Sequence, residues 1–515
     1  MIICTAGHVD HGKTSLVKIL TGIDTDRLEE EKKRGLTIEA GYAYCNLKSA
    51  ATNESTTIRL GIIDMPGHER FIRNMLASLS GIDFVLLVIA ADDGIMPQTR
   101  EHFEILKLLN MKQGAVVISK TDKIDSQRLN QVETSISDML KNSFLENASV
   151  FNISNIDGSG IPALKKYLFN MAVQFQKKNL GQYFRMAIDR CFLIKGAGCI
   201  VTGSVLAGTV SKTQSLVISP SGNKVRVRSL RVQDQDTDIG ITGDRCALNI
   251  TGQDVSISSI QRGDWIIDAK LNNPTSRIDI VVTMLENQHN NQPVHLHHGS
   301  QNLQARLRTL DGKPFSAGTT KIGQLVLNKK VHAQTNDYFI LRDDASRKTV
   351  GGGYIVDPFA SAKGRETQNR LDSLNALILT DPEQRYRVLL NLRPFGLNIS
   401  QLALSENQSL QTLKNEIKDV RYFIINQQGQ QQNYAITIIA FEKLKSNFIN
   451  LLKKHHIKNP DSSGLQKNQL RKFLSAINGQ PPLELLALIA SELLEKNLIK
   501  LSENYYYIES HKVVL

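Results

Sequence analysis

Eight consecutive residues near the start of the chain, Gly7-His8-Val9-Asp10-His11-Gly12-Lys13-Thr14, satisfy the pattern G-x-x-x-x-G-K-[ST] at every fixed position. Glycines in such a loop let the backbone turn its N–H groups toward phosphate oxygens, and the N-terminus of the following helix adds positive potential. Lys13 would then reach the β- and γ-phosphates, and the Thr14 hydroxyl would bind Mg²⁺. A Gly-rich turn with a solvated lysine is the competing reading. Asp64-Met65-Pro66-Gly67-His68 closes an apolar run further on. A carboxylate there holds Mg²⁺ through water, and Gly67 can offer its N–H to the γ-phosphate. Ser119-Lys120-Thr121-Asp122 closes another apolar run. The Asp122 carboxylate can accept from the guanine N1–H and exocyclic amine, which adenine cannot supply. The expectation is a site that binds GTP and GDP with Mg²⁺ and hydrolyses GTP.

These residues need a scaffold that places each of them at a strand end. Short apolar runs recur through residues 1–176: Ile2-Ile3, Leu60–Ile63, Phe84–Ile89, Ala115–Ile118 and Val150-Phe151. Continuous runs of this kind, separated by helical patterns such as Leu16, Val17, Ile19 and Leu20, predict a parallel sheet covered on both faces. Ligands bind such sheets at the carboxyl ends of the strands, where the motifs fall. Residues 174–182 (QFQKKNLGQ) read as a linker. From Tyr183 to about Pro358, β-branched runs alternate with Gly, Asn and Asp turns, which predicts two all-β barrels, 182–272 and 274–360. The pattern then turns helical. Two units, 363–437 and 438–515, each end in a hairpin-like pair and read as winged helices. Gln427–Asn433 (QQGQQQN) reads as the turn of the first hairpin.

Composition bounds the rest. Hydrophobic residues are 41% and charged residues 22% of 515, as in ordinary globular chains. No apolar stretch is long enough to span a membrane, and the first residues lack a basic leader, so a cytoplasmic protein is expected. Five cysteines are scattered with no CxxC pair, which predicts reduced, buried thiols. The net charge of +12 fits a polyanionic partner such as RNA, and equally fits solubility alone. His295, His297 and His298 form the densest histidine cluster, without a nearby acidic or cysteine partner in sequence, and read as barrel packing rather than a metal site.

The order and spacing of the loop 7–14, of Arg34-Gly35-Leu36-Thr37-Ile38 and of Asp64–His68 resemble the translational GTPases. That resemblance implies that Thr37 binds Mg²⁺ when the γ-phosphate is present. It implies that His68 orients the attacking water, with Val9 and Leu36 as an apolar gate. Ser154, in Ile153-Ser154-Asn155, would belong to the last guanine loop. Ser119 and Asn155 depart from the superfamily's usual Asn and Ala at these places.

The resemblance narrows to the bacterial selenocysteine-specific elongation factors. It is carried by residues 26–38, Gly41-Tyr42-Ala43-Tyr44, Ala187-Ile188-Asp189-Arg190, 195–198, Val201-Thr202-Gly203, Val225–Leu230 and Arg262-Gly263-Asp264-Trp265. It implies an aminoacyl pocket in the first barrel built from Asp189, Arg190 and Arg245. Two guanidiniums suit a selenolate, whereas a serine hydroxyl leaves them without an anion. A structural Asp–Arg pair is the alternative. Implied partners are selenocysteyl-tRNA, the ribosome and a selenoprotein mRNA hairpin, at recoded UGA codons. The family carries four winged helices, the last two reading the hairpin, and this chain has room for about two. A shortened product, half of a split factor and a variant with a compact reader all stay open. Lys453-Lys454-His455-His456 and Arg471-Lys472 suit RNA phosphates or a solvated basic face. Another tRNA-carrying GTPase and an RNA-binding GTP switch with little turnover are the alternative functions.

Overall fold

The computed structural model describes residues 1–26, 28–34, 36–48, 57–175, 182–196, 198–427, 429–475 and 479–511. Arg27, Gly35, Ala197, most of the linker at 174–182, Gln428 and the last four residues lie outside the described residues. The chain divides into two compact units, Met1–Ala362 and Lys363–Leu515.

The first unit opens with a six-stranded sheet: β1 (Ile2–Ala6), β2 (Gly41–Lys48), β3 (Thr57–Asp64), β4 (Phe84–Ala90), β5 (Gly114–Ser119) and β6 (Val150–Asn152), in the order β2-β3-β1-β4-β5-β6. All neighbours are parallel except β2, which runs antiparallel to β3. Alternation sorts each strand's side chains onto two faces. Cys4, Val85, Leu87, Val116 and Ile118 pack on one side, while Ile3, Leu86, Val88, Ala115 and Val117 pack on the other. Helices α1 (Lys13–Thr21), α2 (Glu29–Arg34), α3 (Ile72–Ser78), α4 (Pro97–Leu108), α5 (Ser126–Leu140) and α6 (Ile161–Gln174) connect the strands; α3, α4 and α5 pack on the first face and α1 and α6 on the second.

One strand was not among the apolar runs. In β2 the even positions Tyr42 and Tyr44 are half-buried and Asn46 is exposed, while Ala43, Cys45 and Leu47 are buried. It alternates because it is an antiparallel edge strand with one face toward solvent or a neighbouring domain.

Two barrels follow. In the first, Ser215–Ser219 pairs with both Asn223–Val232 and Trp265–Ile267, which closes the sheet on itself. The second is a closed barrel of six strands between Thr275 and Asp357. A buried ion pair joins them: Arg185 donates to both Asp337 oxygens at 2.7 and 2.6 Å, and His298 Nε2 lies 3.0 Å from the same carboxylate. The histidine cluster therefore does have an acidic partner, brought from 39 residues away in sequence. His298 also stacks on Trp265. Among the described residues no group of three or more His, Cys, Asp or Glu side chains is arranged to hold a metal. The second barrel also grips α4: the buried Arg342 guanidinium and Thr349 hydroxyl donate to Glu101 at 2.9 and 3.1 Å.

The second unit contains two successive helix clusters, each with a three-stranded antiparallel sheet, the layout of winged helices. In the first, Leu397–Asn398 and Val420–Gln427 flank Gln430–Thr437. In the second, Leu465–Gln466 and Lys500–Ser502 flank Tyr505–Tyr507. The polar tract is less of a turn than its composition suggested. Residues 430–433 are in the returning strand, paired with 424–427. Phe423 and Ile436 of the first hairpin share a core with Phe441, Phe448, Leu485 and Ile489 of the following helices. The two halves are thus packed as one body. No described helix is long and apolar enough to cross a membrane.

Candidate functional site

The phosphate loop runs from the end of β1 into α1. Gly12 caps α1 with φ +82°, a conformation that favours glycine. Gly67 is held so close to the loop that a Cβ there would lie 2.7 Å from the Val9 nitrogen. Lys13 is buried, and its ammonium donates to the Gly7 carbonyl at 3.1 Å and to the His8 carbonyl. Burial, opposed by the Asp64 and Asp10 charges, lowers its pKa to about 8.

Two α4 residues absent from the motifs also hold this loop. Gly7 N–H donates to His102 Nδ1 at 3.2 Å, and Val9 N–H to Gln98 Oε1 at 3.5 Å. His102 is buried and its pKa falls to about 3, chiefly through desolvation, so it stays neutral and can accept. His11 is likewise buried, 3.4 Å from the Val88 carbonyl, and lowered to about 4 by burial. Of the loop's other side chains, Asp10 is exposed, and His8 and Val9 are half-buried.

Oxygen donors cluster beside the loop. Thr14 Oγ1 and Thr37 Oγ1 are 2.9 Å apart, and Thr37 donates to Asp26 Oδ1 at 3.0 Å. Asp64 is buried and accepts from Thr5 at 3.1 Å and Thr25 at 2.7 Å. Burial raises the Asp64 and Asp26 pKa values. Hydroxyl and carboxylate oxygens are the donor set of a hard divalent cation such as Mg²⁺, which takes its remaining ligands from water and phosphate. The residues present therefore fit that ion. The segment carrying Thr37 is fastened by Glu31, whose buried carboxylate accepts the backbone N–H groups of Leu28, Ile38 and Glu39 at 2.9, 3.0 and 3.1 Å.

His68 directly follows Gly67, which lies against the phosphate loop. Its Nδ1 accepts from Arg70 N–H at 3.2 Å, capping the turn Glu69–Phe71, and its ring tilts against Phe71. At the other end of the site, Asp122 is exposed in the short turn Thr121–Lys123. Lys120 takes φ +58° and reaches back to Asp92 and Asp93 at 3.5 and 3.7 Å. Ser154 is buried and its hydroxyl accepts from the N–H groups of Ile156 and Asp157 at 3.2 and 3.4 Å. Ser119, Lys120 and Asp122 at the end of β5 thus sit beside the loop after β6.

Asp189, Arg190 and Arg245 do converge, and they converge on a residue of the sheet domain. Arg245 is 3.0 Å from Asp189 and lies over the Tyr42 ring at 3.6 Å. Tyr42 hydroxyl and Thr202 hydroxyl both donate to Asp189, at 3.2 and 2.6 Å. Arg190 is half-exposed and reaches Glu39 Oε2 at 3.3 Å and the Ala40 carbonyl at 3.0 Å. Sequence motifs had named the three charged residues; Tyr42, Thr202 and Glu39 were missed as members of the cluster. Tyr42 and Thr202 stand within stretches that carry the family likeness, which was the available signal. In the second unit, Lys453 and Lys454 are exposed, while His455 bonds to Ser462 and His456 stacks on His511.

Family comparisons agree with this arrangement. Residues 1–175 match the elongation factor Tu GTP binding domain, and residues 198–267 match elongation factor Tu domain 2. Residues 275–362 match the β-barrel domain of the selenocysteine-specific elongation factor. A phosphate loop on this sheet, followed by these two barrels, defines a guanine-nucleotide-binding translational GTPase. The selenocysteine-specific elongation factor of Desulfomicrobium baculatum is 34% identical over 480 residues, which are 91% of this chain and 74% of that protein. That of Escherichia coli (strain K12) is 31% identical over 514 residues, 99% of this chain and 79% of that protein. A crystal structure of the bacterial factor EF-Sec superposes with a TM-score of 0.77 at 27% identity, covering 99% of this chain and 80% of that one. The chain belongs to the selenocysteine-specific elongation factor family.

Proposed function

We propose that this chain is a cytoplasmic elongation factor that carries selenocysteyl-tRNA to the ribosome at recoded UGA codons and hydrolyses GTP there. The observation that carries the reading is the convergence of Asp189, Arg190 and Arg245 on Tyr42, beside the segment that holds Thr37. Asp189, Arg190 and Arg245 sum to one positive charge. Glu39 offsets it at present, and a selenolate can take that carboxylate's place on Arg190. A serine hydroxyl brings no charge and cannot replace that carboxylate as the anionic partner. Asp189 would receive the α-amino group.

At the nucleotide site, the N–H groups of Gly7–Thr14 and Gly67 would cradle the phosphates, with Lys13 on the β- and γ-groups. Thr14, Thr37 and Asp64 would hold Mg²⁺, which neutralises charge on the phosphate oxygens. Asp122 would select guanine, with Ser119, Lys120 and Ser154 shaping its loop. His68 would orient the attacking water once the ribosome has moved it from its cap on Arg70. The winged helices would connect this body to recognition of the selenoprotein mRNA hairpin.

The test is binding of the GTP-loaded chain to one tRNA charged with selenocysteine or with serine. At least tenfold preference for selenocysteine is expected, a difference of about 1.4 kcal/mol. Equal affinity removes the assignment of Arg190 and Arg245.

A further inference from the structure

Two departures from the superfamily's usual residues meet at consecutive peptides of the phosphate loop. The Ser119 hydroxyl, fully buried at the end of β5, donates to the His11 carbonyl at 2.6 Å. The Asn155 amide, in the loop after β6, donates to the adjacent Gly12 carbonyl at 3.4 Å. Both side chains crowd Gly12. A Cβ there would lie 3.1 Å from Asn155 Nδ2 and 3.8 Å from Ser119 Oγ.

The acceptors matter because of where they stand. Gly12 caps α1, and its carbonyl also accepts the Leu16 N–H at 2.9 Å. Lys13 and Thr14 follow directly, so the tilt of the 11–12 segment sets where the ammonium and the hydroxyl sit. A serine has one donor and reaches one carbonyl. An asparagine at 119 would carry two amide donors on a longer stem. With Ser119 in place, the second donor comes from a different loop.

We propose that Ser119 and Asn155 act as a paired clamp on His11–Gly12, positioning the phosphate loop for its guanine nucleotide. The inference rests on the nucleotide site proposed above, and it adds to that site a residue whose side chain no motif assigns. Because Asn155 neighbours Ser154 in the guanine loop, the clamp also ties the base end of the site to the phosphate end. Nucleotide dissociation from either end is slowed by the same contact.

The experiment is stopped-flow release of a fluorescent GDP from the full chain and from variants, with melting of the nucleotide-free proteins alongside. Binding of the probe by the unchanged chain tests the site itself, separately from the clamp. Loss of one hydrogen bond of about 0.5–1.5 kcal/mol corresponds to about two- to tenfold faster release for Asn155→Ala. Asn155→Asp keeps the shape but turns an acceptor toward the Gly12 carbonyl, so it must release at least as fast. Adding Ser119→Asn to Asn155→Ala supplies the second donor from β5 and restores slow release. Release at the unchanged rate in both Asn155 variants overturns the proposal. So does faster release that only parallels a lower melting temperature and is not restored by Ser119→Asn.

Discussion

Lys13 is the residue whose ionisation should be visible in the binding of nucleotide. Its ammonium is buried and its pKa is lowered to about 8, with desolvation as the largest cause. A triphosphate beside it favours the charged form and raises that pKa. The sign follows. Well below pH 8 the lysine is protonated in free and bound protein, and no proton moves. Near pH 8.5 part of the free population is neutral and must take up a proton to bind. Calorimetry of GTP binding in buffers of differing ionisation enthalpy should therefore find net proton uptake at pH 8.5 and almost none at pH 6.5. Absence of uptake at pH 8.5 would falsify the assignment of Lys13 to the phosphates. The cluster of Asp189, Arg190 and Arg245 follows a different electrostatic logic: Asp189 and Arg245 satisfy each other, while Arg190 is held by the weaker, half-exposed Glu39 contact. Arg190 is thus the charge most readily given to an incoming anion.

Among the elements, α2 shows how little of a switch is its motif. Thr37 was legible in the sequence, but what fixes its segment is Glu31, reaching across to Ile38 and Glu39. Glu31→Gln removes a buried charge from three backbone donors, and hydrogen bonds to charged groups contribute about 1.5–3 kcal/mol each. Amide exchange at Ile38 and Glu39 should accelerate at least tenfold, with exchange in β4 and β5 unchanged. Uniform acceleration throughout the sheet would instead mean that the helix is a general prop. The same contrast explains which parts of the fold could be read beforehand. Contiguous signals were legible: the loop 7–14, the buried runs of β1, β4 and β5, and the hairpin pairs of the tail. Contacts across long separations were not, such as Gly7 with His102 and Tyr42 with Asp189. His102 has no local pattern to announce it, and the family likeness around Tyr42 does not name its partner. Only the packing of α4 and the edge placement of β2 make them neighbours of the site.

For the whole first unit, the junction between barrels is the place where charge decides architecture. Arg185 and Asp337 are both almost inaccessible, and the guanidinium, with His298, holds the Asp337 carboxyl well below the usual carboxylate range. Its folded-state pKa is depressed, so the stability it contributes is present above about pH 4, the unfolded value, and is lost as pH falls toward the folded one. Removing one partner of a buried pair costs about 3–5 kcal/mol. Arg185→Ala should lower unfolding stability by that amount at pH 7, measured by urea denaturation. Asp337→Asn should also flatten the loss of stability below pH 4. Stability unchanged by Arg185→Ala would show that the barrels are held by apolar contact alone.

The helix α4 carries adjacent residues with separate allegiances. His102 receives the N–H of Gly7, and Glu101 receives Arg342 and Thr349 of the second barrel. Consecutive side chains leave a helix about 100° apart, so one rigid rod faces both bodies at once. A ligand that displaced the first glycine of the loop would act on the same backbone to which the barrel is bonded. News of the nucleotide can thereby travel more than two hundred positions down the chain by leverage alone, without passing through the linker after α6.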